Sequence, residues 1–434
     1  MKTWTSPCTA WLSAFCVAAA SCAGGQSGEP LHERFEELTS ALSRDDSPDV
    51  DAASAGQLRD SNRRAALAMY GELANASDEN LFFSPHSIST ALVMTYAGAA
   101  GTTAEAMVSA LHFDLPDETL HASFNQLDLE LESRGEQAQG DDEPFRLHVV
   151  NSIWGQRGTA FRASFIDTLG LHYGAGLKLL DFQGATDESR DIINAWVEHE
   201  TDKRVIGLLP DGALSRQTLM VLVNAIHFEA GWVQPFDEAS TEQGDFTTLA
   251  GEMVQVPMMH GTVQVGYYEA PTVTAVDVGY QGRQLSMLLL VPNAGTLPEF
   301  EAQLSVEGLA ELEAGLRSIT ADLGMPRWKH EGESIRLKAM LSALGMAEAF
   351  DSSAADFSNA VDDARPYIDD VFHQATIRVD EEGTEASAAT AVVLVGRSAP
   401  PQPELAIAID RPFLYLIRDE PTGAILFMGR MAKP

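Results

Sequence analysis

The chain has 434 residues, 45% of them hydrophobic and 21% charged, which is ordinary globular composition with ample apolar material for a large core. Lys and Arg number 28 against 63 Asp and Glu, a formal net charge of −35. A surface this acidic repels phosphate and sulfate polyanions, which sets aside nucleic acids and heparin-like partners and favours solubility.

The N-terminus reads as an export signal over 1–22. Lys2 gives a weak positive start, and Trp11 to Ala20 is an apolar run ending in small residues. It is shorter than the roughly 20 residues a membrane span needs. The run closes on Ala19-Ala20-Ser21-Cys22, a loose match to a lipobox, in which Cys22 would carry a lipid and become the mature N-terminus. Ordinary signal-peptidase cleavage after Ala20 is the alternative, and the destination is correspondingly a cell-surface lipoprotein or the extracellular space. Cys8, Cys16 and Cys22 are the only cysteines, so the remainder of the chain can hold neither a disulfide nor a cysteine nucleophile, nor a cysteine-ligated zinc. Residues 23–60 begin with small residues and turn acidic. Leu31, Phe35, Leu38 and Leu42 could stripe a short helix, but the segment reads as a flexible acidic tether.

From 61 to 434 the pattern is that of a single domain. Leu67, Tyr70 and Leu73 have helical spacing. Leu81-Phe82-Phe83 is a short strand broken at Ser84-Pro85, and a helix follows through Ile88, Leu92 and Tyr96 to Gly98. Thr102-Thr103-Ala104-Glu105 has the spacing of a capping box opening the next helix. The stretches 117–133 and 187–204 are amphipathic helices. Leu219–Phe228 and Leu285–Val291 are nearly continuous apolar runs, expected for strands covered on both faces. Phe413–Ile417 and Ile425–Met428 form a hairpin. Helices dominate the first half and strands the second, an α+β arrangement.

Common catalytic signatures are absent: no G-x-S-x-G elbow, no H-E-x-x-H, no P-loop and no G-x-G-x-x-G. The 11 histidines read as surface or structural residues, not metal ligands. No cofactor is expected, and the chain reads as a binding protein, not an enzyme.

The most informative stretch begins at Phe372-His373 and runs as a strand to Asp380. Glu381-Glu382-Gly383-Thr384-Glu385 then breaks it, a run of small residues follows, and the chain stays apolar to Val395 before Gly396-Arg397-Ser398 and a proline-rich segment. In an extended chain Thr384, Ala386, Ala388, Thr390, Val392 and Leu394 share one face, while Glu385 lies on the other. The first face can be buried without stranding an ion. An ordinary alanine-rich strand would show the same pattern.

This segment resembles the hinge and reactive-centre loop of serpins, the serine protease inhibitor family. Similar motifs occur in the family's order: Asn80-Leu81-Phe82-Phe83-Ser84-Pro85-His86-Ser87-Ile88; Leu222 to Phe228 with Trp232, Pro235 and Phe236; Leu344-Gly345-Met346 with Ala355 to Ser358; and Asp410-Arg411-Pro412-Phe413 through Gly429-Arg430. The resemblance covers essentially all of 61–434. It implies the serpin fold, one large domain of three β-sheets and about nine helices with an exposed loop, acting as a monomer.

It also implies roles. Glu381, Glu382, Gly383 and Thr384 match the hinge, with Ala386, Ser387, Ala388 and Ala389 as the threading segment. Ser84, Ser87, Asn224 and His373 match the shutter, where polar side chains latch the strands that part, and Trp232 matches the breach, where the loop first enters. The family's spacing from Glu381 puts the scissile bond at Arg397-Ser398, an antithrombin-like Gly-Arg-Ser bait; a slip of one would make Gly396 or Ser398 the bait residue. The implied partner is a trypsin-like serine protease, trapped as a covalent acyl complex. A non-inhibitory carrier, storage protein or chaperone is the alternative, as, more remotely, is an acidic surface scaffold. Glu229 departs from the family's usual lysine and is expected to alter only surface charge.

Overall fold

The computed structural model describes residues 30–134, 146–362, 366–384 and 402–434. Among these are nine α-helices: α1 (Ala52–Ala76), α2 (Pro85–Tyr96), α3 (Gly101–Leu111), α4 (Asp117–Glu132), α5 (Ala163–Tyr173), α6 (Thr186–Glu200), α7 (Leu297–Gln303), α8 (Val306–Gly315) and α9 (Lys338–Leu341). The central sheet has, in spatial order, β1 (Glu36–Leu38), β4 (Leu177–Leu180), β3 (Arg146–Gln156), β5 (Met220–Gly231), β14 (Gly383–Thr384), β13 (Val371–Val379) and β11 (Trp328–Glu331), with β12 (Ile335–Arg336) also on β13. The second sheet runs β15 (Leu405–Ala408), β10 (Arg317–Pro326), β7 (Met253–Glu269), β8 (Val273–Gly279), β9 (Leu285–Pro292), β16 (Phe413–Asp419), β17 (Ile425–Met431) and β2 (Leu81–Phe83), with β6 (Glu242–Thr247) on β7.

The described strands thus join into two sheets where three are expected, because β7 is long enough to pair with β6 over 253–258 and with β8 over 266–269. That one strand links ladders that would otherwise stand apart.

Local chemistry explains the elements that build the site. Ser84 ends β2 and caps α2, its Oγ accepting from the Ser87 amide at 3.1 Å, while Pro85 supplies a first-turn residue with no amide to satisfy. All of α2 is buried, which its nearly unbroken apolar and small composition requires. β9, β16 and β17 are buried along their whole lengths, as continuous apolar runs should be. One apolar cluster fills the space between the sheets and the α1–α3 layer. A second lies under α6, where Ile192, Ile193, Trp196 and Val197 pack on Trp154, Val221, Val223 and Phe372 of the central sheet.

Two expectations need correction. Residues 31–60 are not a free tether: β1 pairs with β4, and α1 begins at Ala52, so a boundary at 61 falls inside a helix. Asp51 caps that helix by accepting from Ser54 N at 2.7 Å, a local signal in a stretch whose polar composition suggested disorder. The capping box at Thr102 does not form. α3 starts at Gly101 without a side-chain cap, and the Thr102 and Thr103 hydroxyls donate instead to the Glu348 carboxylate.

Candidate functional site

The central sheet has a seam between β5 and β13. These strands run parallel and pair directly from Leu222/Val371 to Ile226/Ala375, where direct pairing stops. At the far end β14 takes the place between them, antiparallel to both, with Thr384 opposite Ala230 and Val379. The sheet is therefore closed at one end and already holds two residues of an additional strand at the other.

Polar side chains bridge the closed end. His373, Asn224 and Asn151 lie on adjacent strands at one level of register. The Ser84 amide donates to His373 Nε2 at 3.1 Å. Nε2 must then be bare, so the proton sits on Nδ1 and is donated to Asn224 Oδ1. Asn224 Nδ2 in turn donates to Ser87 Oγ and to Asn151 Oδ1, and Ser84 Oγ donates to Leu426 O at 2.6 Å. His373 is fully buried, and burial pushes its pKa down to about 3, so the imidazole stays neutral and the assigned tautomer is stable. The four positions expected to form a latch converge on one network that ties β5, β13 and α2 together. Asn151 belongs to it and was missed. Its signal was a polar pair, Asn151-Ser152, inside the apolar run Val149 to Trp154.

The open end is built around Trp232, wholly buried just beyond β5. Its Nε1 donates to Asp380 O at 2.9 Å, its amide donates to Glu382 O at 2.8 Å, and its ring stacks on Tyr280 at 4.6 Å. The Tyr280 hydroxyl shares a 2.7 Å hydrogen bond with Thr384 Oγ1, so the inward face of the hinge residue is matched by a polar partner. Gly383 has to be glycine: a Cβ there would overlap the Ala230 carbonyl oxygen. Glu381 is only 2% exposed, and it is bound by the Arg327 guanidinium and the Thr241 hydroxyl. Burial raises its pKa, but the hydrogen bonds from Thr241 and Arg327 outweigh burial and hold the carboxyl below its usual range. Tyr280 and Arg327 carried no sequence signal, because each meets the hinge only through long-range folding.

Glu229, the departure noted above, forms an ion pair with Arg204 at 2.6 Å. It therefore keeps a local charge partner. The threading residues Ala386, Ser387, Ala388 and Ala389, the bait Arg397 and Ser398, and Cys22 all lie outside the described residues. Among the described residues no group of carboxylates and imidazoles could hold a metal ion, and no helix is long and apolar enough to cross a membrane.

The central sheet of this large α+β protein thus has a seam bridged by polar side chains at one end and occupied by a short segment of the same chain at the other. The family model described as Serpin (serine protease inhibitor) matches residues 60–434, and the chain belongs to the serpin family. It is 36% identical over 367 residues to an uncharacterised serpin-like protein of Thermococcus kodakarensis, covering 84% of this chain and 83% of that one. It is 34% identical over 388 residues to human leukocyte elastase inhibitor, covering 87% of this chain and all of the relative. Among solved structures it resembles human thyroxine-binding globulin complexed with thyroxine, with a TM-score of 0.77 at 29% identity, covering 88% of this chain and 99% of that one. Serpins are for the most part inhibitors of proteases rather than catalysts.

Proposed function

We propose that the protein inhibits trypsin-like serine endopeptidases as a suicide substrate cleaved at Arg397-Ser398. The protease serine attacks the Arg397 carbonyl carbon, the bond to Ser398 breaks, and the Ser398 amine leaves with the transferred proton. The acyl-enzyme ester then joins Arg397 to the protease. Insertion of the freed loop between β5 and β13 drags the enzyme along before water can hydrolyse that ester. Serpin loop insertion is itself a standing example of strand addition and release of stored strain.

The observation that carries this reading is the hinge. Gly383 and Thr384 pair with β5, and Thr384 pairs with Val379 of β13 as well, so the path for the remaining small residues continues a strand that has already started. Each further residue would add backbone hydrogen bonds and bury apolar surface. Arg397 is the sole basic residue between Arg378 and Arg411, and an arginine bait suits a protease whose specificity pocket carries a carboxylate. Incubation with trypsin tests the proposal: a complex that survives denaturing electrophoresis is expected, and quantitative cleavage without a complex would reject it.

The likeness to thyroxine-binding globulin favours a second reading, a carrier whose loop is cut and released without trapping. The same gel separates the two. For location, the reading is export, either as a lipoprotein attached through Cys22 or as a freely secreted protein.

A further inference from the structure

The family match begins at residue 60, yet the chain is already folded against the body from residue 31. β1 extends the central sheet beyond β4, with Glu37 in register with Lys178 and ion-paired to it at 3.1 Å. Phe35 stands edge-on to Trp154 of β3 at 5.2 Å, and Trp154 stands edge-on to Trp196 of α6 at 5.5 Å. Lys178 closes the circuit, its ammonium 4.9 Å above the Trp196 ring. One end of this segment therefore clips α6 to the edge half of the sheet. The other end grips the helical layer: Ser40 Oγ donates to Asp167 of α5 at 2.6 Å, and Arg44 binds Asp128 and Asn125 of α4 at 2.5 and 2.8 Å. The Asp45 amide adds a bond to Leu171 O at 2.9 Å.

These contacts matter because of where the seam lies. A strand inserted between β5 and β13 must push the two halves of the sheet apart by about 4.8 Å. The cluster under α6 straddles that line, since it includes Val223 of β5 and Phe372 of β13, which are partners in register. Opening the seam therefore requires α6 and the β1–β4–β3–β5 half to shift. Residues 31–45 fasten that half to α4 and α5, which pack on one another and, through α4, on α1 and α2.

We infer that residues 31–45 are a brake on sheet opening, a strap that holds the seam closed and slows insertion of the uncleaved loop. The inference rests on the insertion reading proposed above, but its test can fail separately. Phe35→Ala and Arg44→Gln loosen the strap at opposite ends, and both positions are partly exposed, so the fold should tolerate them. Each full-length variant is incubated uncleaved at a fixed warm temperature, while trypsin-trapping capacity, chain integrity and melting temperature are followed.

Both variants are expected to lose capacity about threefold to tenfold faster than the parent, equivalent to about 0.7–1.4 kcal/mol off the barrier. The chain should stay intact and monomeric, and the inactive form should melt higher than the starting protein. Phe35→Tyr, which keeps the ring, should decay at the parent's rate. Unchanged decay in both variants, or decay into low-melting aggregate, would overturn the brake, because a merely structural contact yields unfolded material, not a more stable fold. If the parent never traps trypsin, the inhibitory reading fails instead; the brake is then read from the melts alone, where conversion to the high-melting form must still be faster in both variants.

Discussion

Thr384→Arg is the substitution for which the seam predicts the sharpest effect. Thr384 is wholly buried between Ala230 and Val379, with its hydroxyl on Tyr280. In the resting protein an arginine here can escape, because β14 is only two residues long and the charge reaches water once that segment leaves the sheet. What is lost is the Thr384–Tyr280 hydrogen bond, worth about 1 kcal/mol, and a few strand bonds. After cleavage there is no escape, since residue 384 must be inside before those that follow it. An unpaired guanidinium forced under the sheet costs several kcal/mol even after relaxation. A barrier raised by about 4 kcal/mol slows insertion roughly 1,000-fold, while cleavage at the distant bait is untouched. Hydrolysis of the acyl-enzyme then wins. The assay is the ratio of covalent complex to free cleaved protein after reaction with trypsin. Thr384→Arg should yield almost entirely cleaved protein, and Thr384→Ser, which keeps the hydroxyl, should behave as the parent. A Thr384→Arg variant that traps trypsin as efficiently as the parent would refute the reasoning, because inhibition could not then depend on strand insertion along this seam.

Other outcomes are expected. Arg397→Ala should abolish rapid inhibition of trypsin-like enzymes, measured as the second-order rate, and redirect the protein towards elastase-like ones; an unchanged rate with trypsin would mean that the bait lies elsewhere. Cys22→Ser, in a bacterial host, should move the protein from the membrane to the soluble fraction; a parent wholly soluble with Ser21 at its N-terminus would favour simple secretion. Acid should destabilise the fold through its buried histidines. Burial holds His86 and His121 near about 4 and His373 near about 3, all below the ordinary value of roughly 6.5. Their folded pKa values are depressed, so the unfolded chain binds protons first. Stability is full above about pH 6.5 and falls as pH drops towards the folded values, by roughly 2 kcal/mol per histidine at pH 5. The urea midpoint should therefore fall steeply between pH 7 and pH 5; a flat midpoint would contradict the neutral, buried assignment.

What was legible in the sequence is what is decided locally. The break from β2 to α2 could be read because Ser84 and Pro85 act on their own backbone, and β9 because an unbroken apolar run has few other fates. The hinge positions came from the resemblance alone, and of them Glu381 to Thr384 lie at the open end of the seam, while the small residues that follow are outside the described residues. The parts that escaped depend on distant partners. Tyr280 and Arg327 reach Thr384 and Glu381 only after the sheets assemble, and Asn151 is one polar residue whose meaning comes from Asn224 in register across the strand pair. β1 is too short to announce itself and exists because β4 offers an unpaired edge. The polar spacing at Thr102 misled, since Glu348 competes for the hydroxyls that a capping box would use.

The mass of the peptide released when trypsin and the protein form a complex stable to denaturants tests inhibition by trapping most directly. Trapping at the proposed bond predicts a single C-terminal peptide, Ser398 to Pro434, in equal amount to the complex, with the rest of the chain esterified through Arg397. A peptide starting at another residue would move the bait, and release of that peptide without any complex would contradict inhibition by trapping.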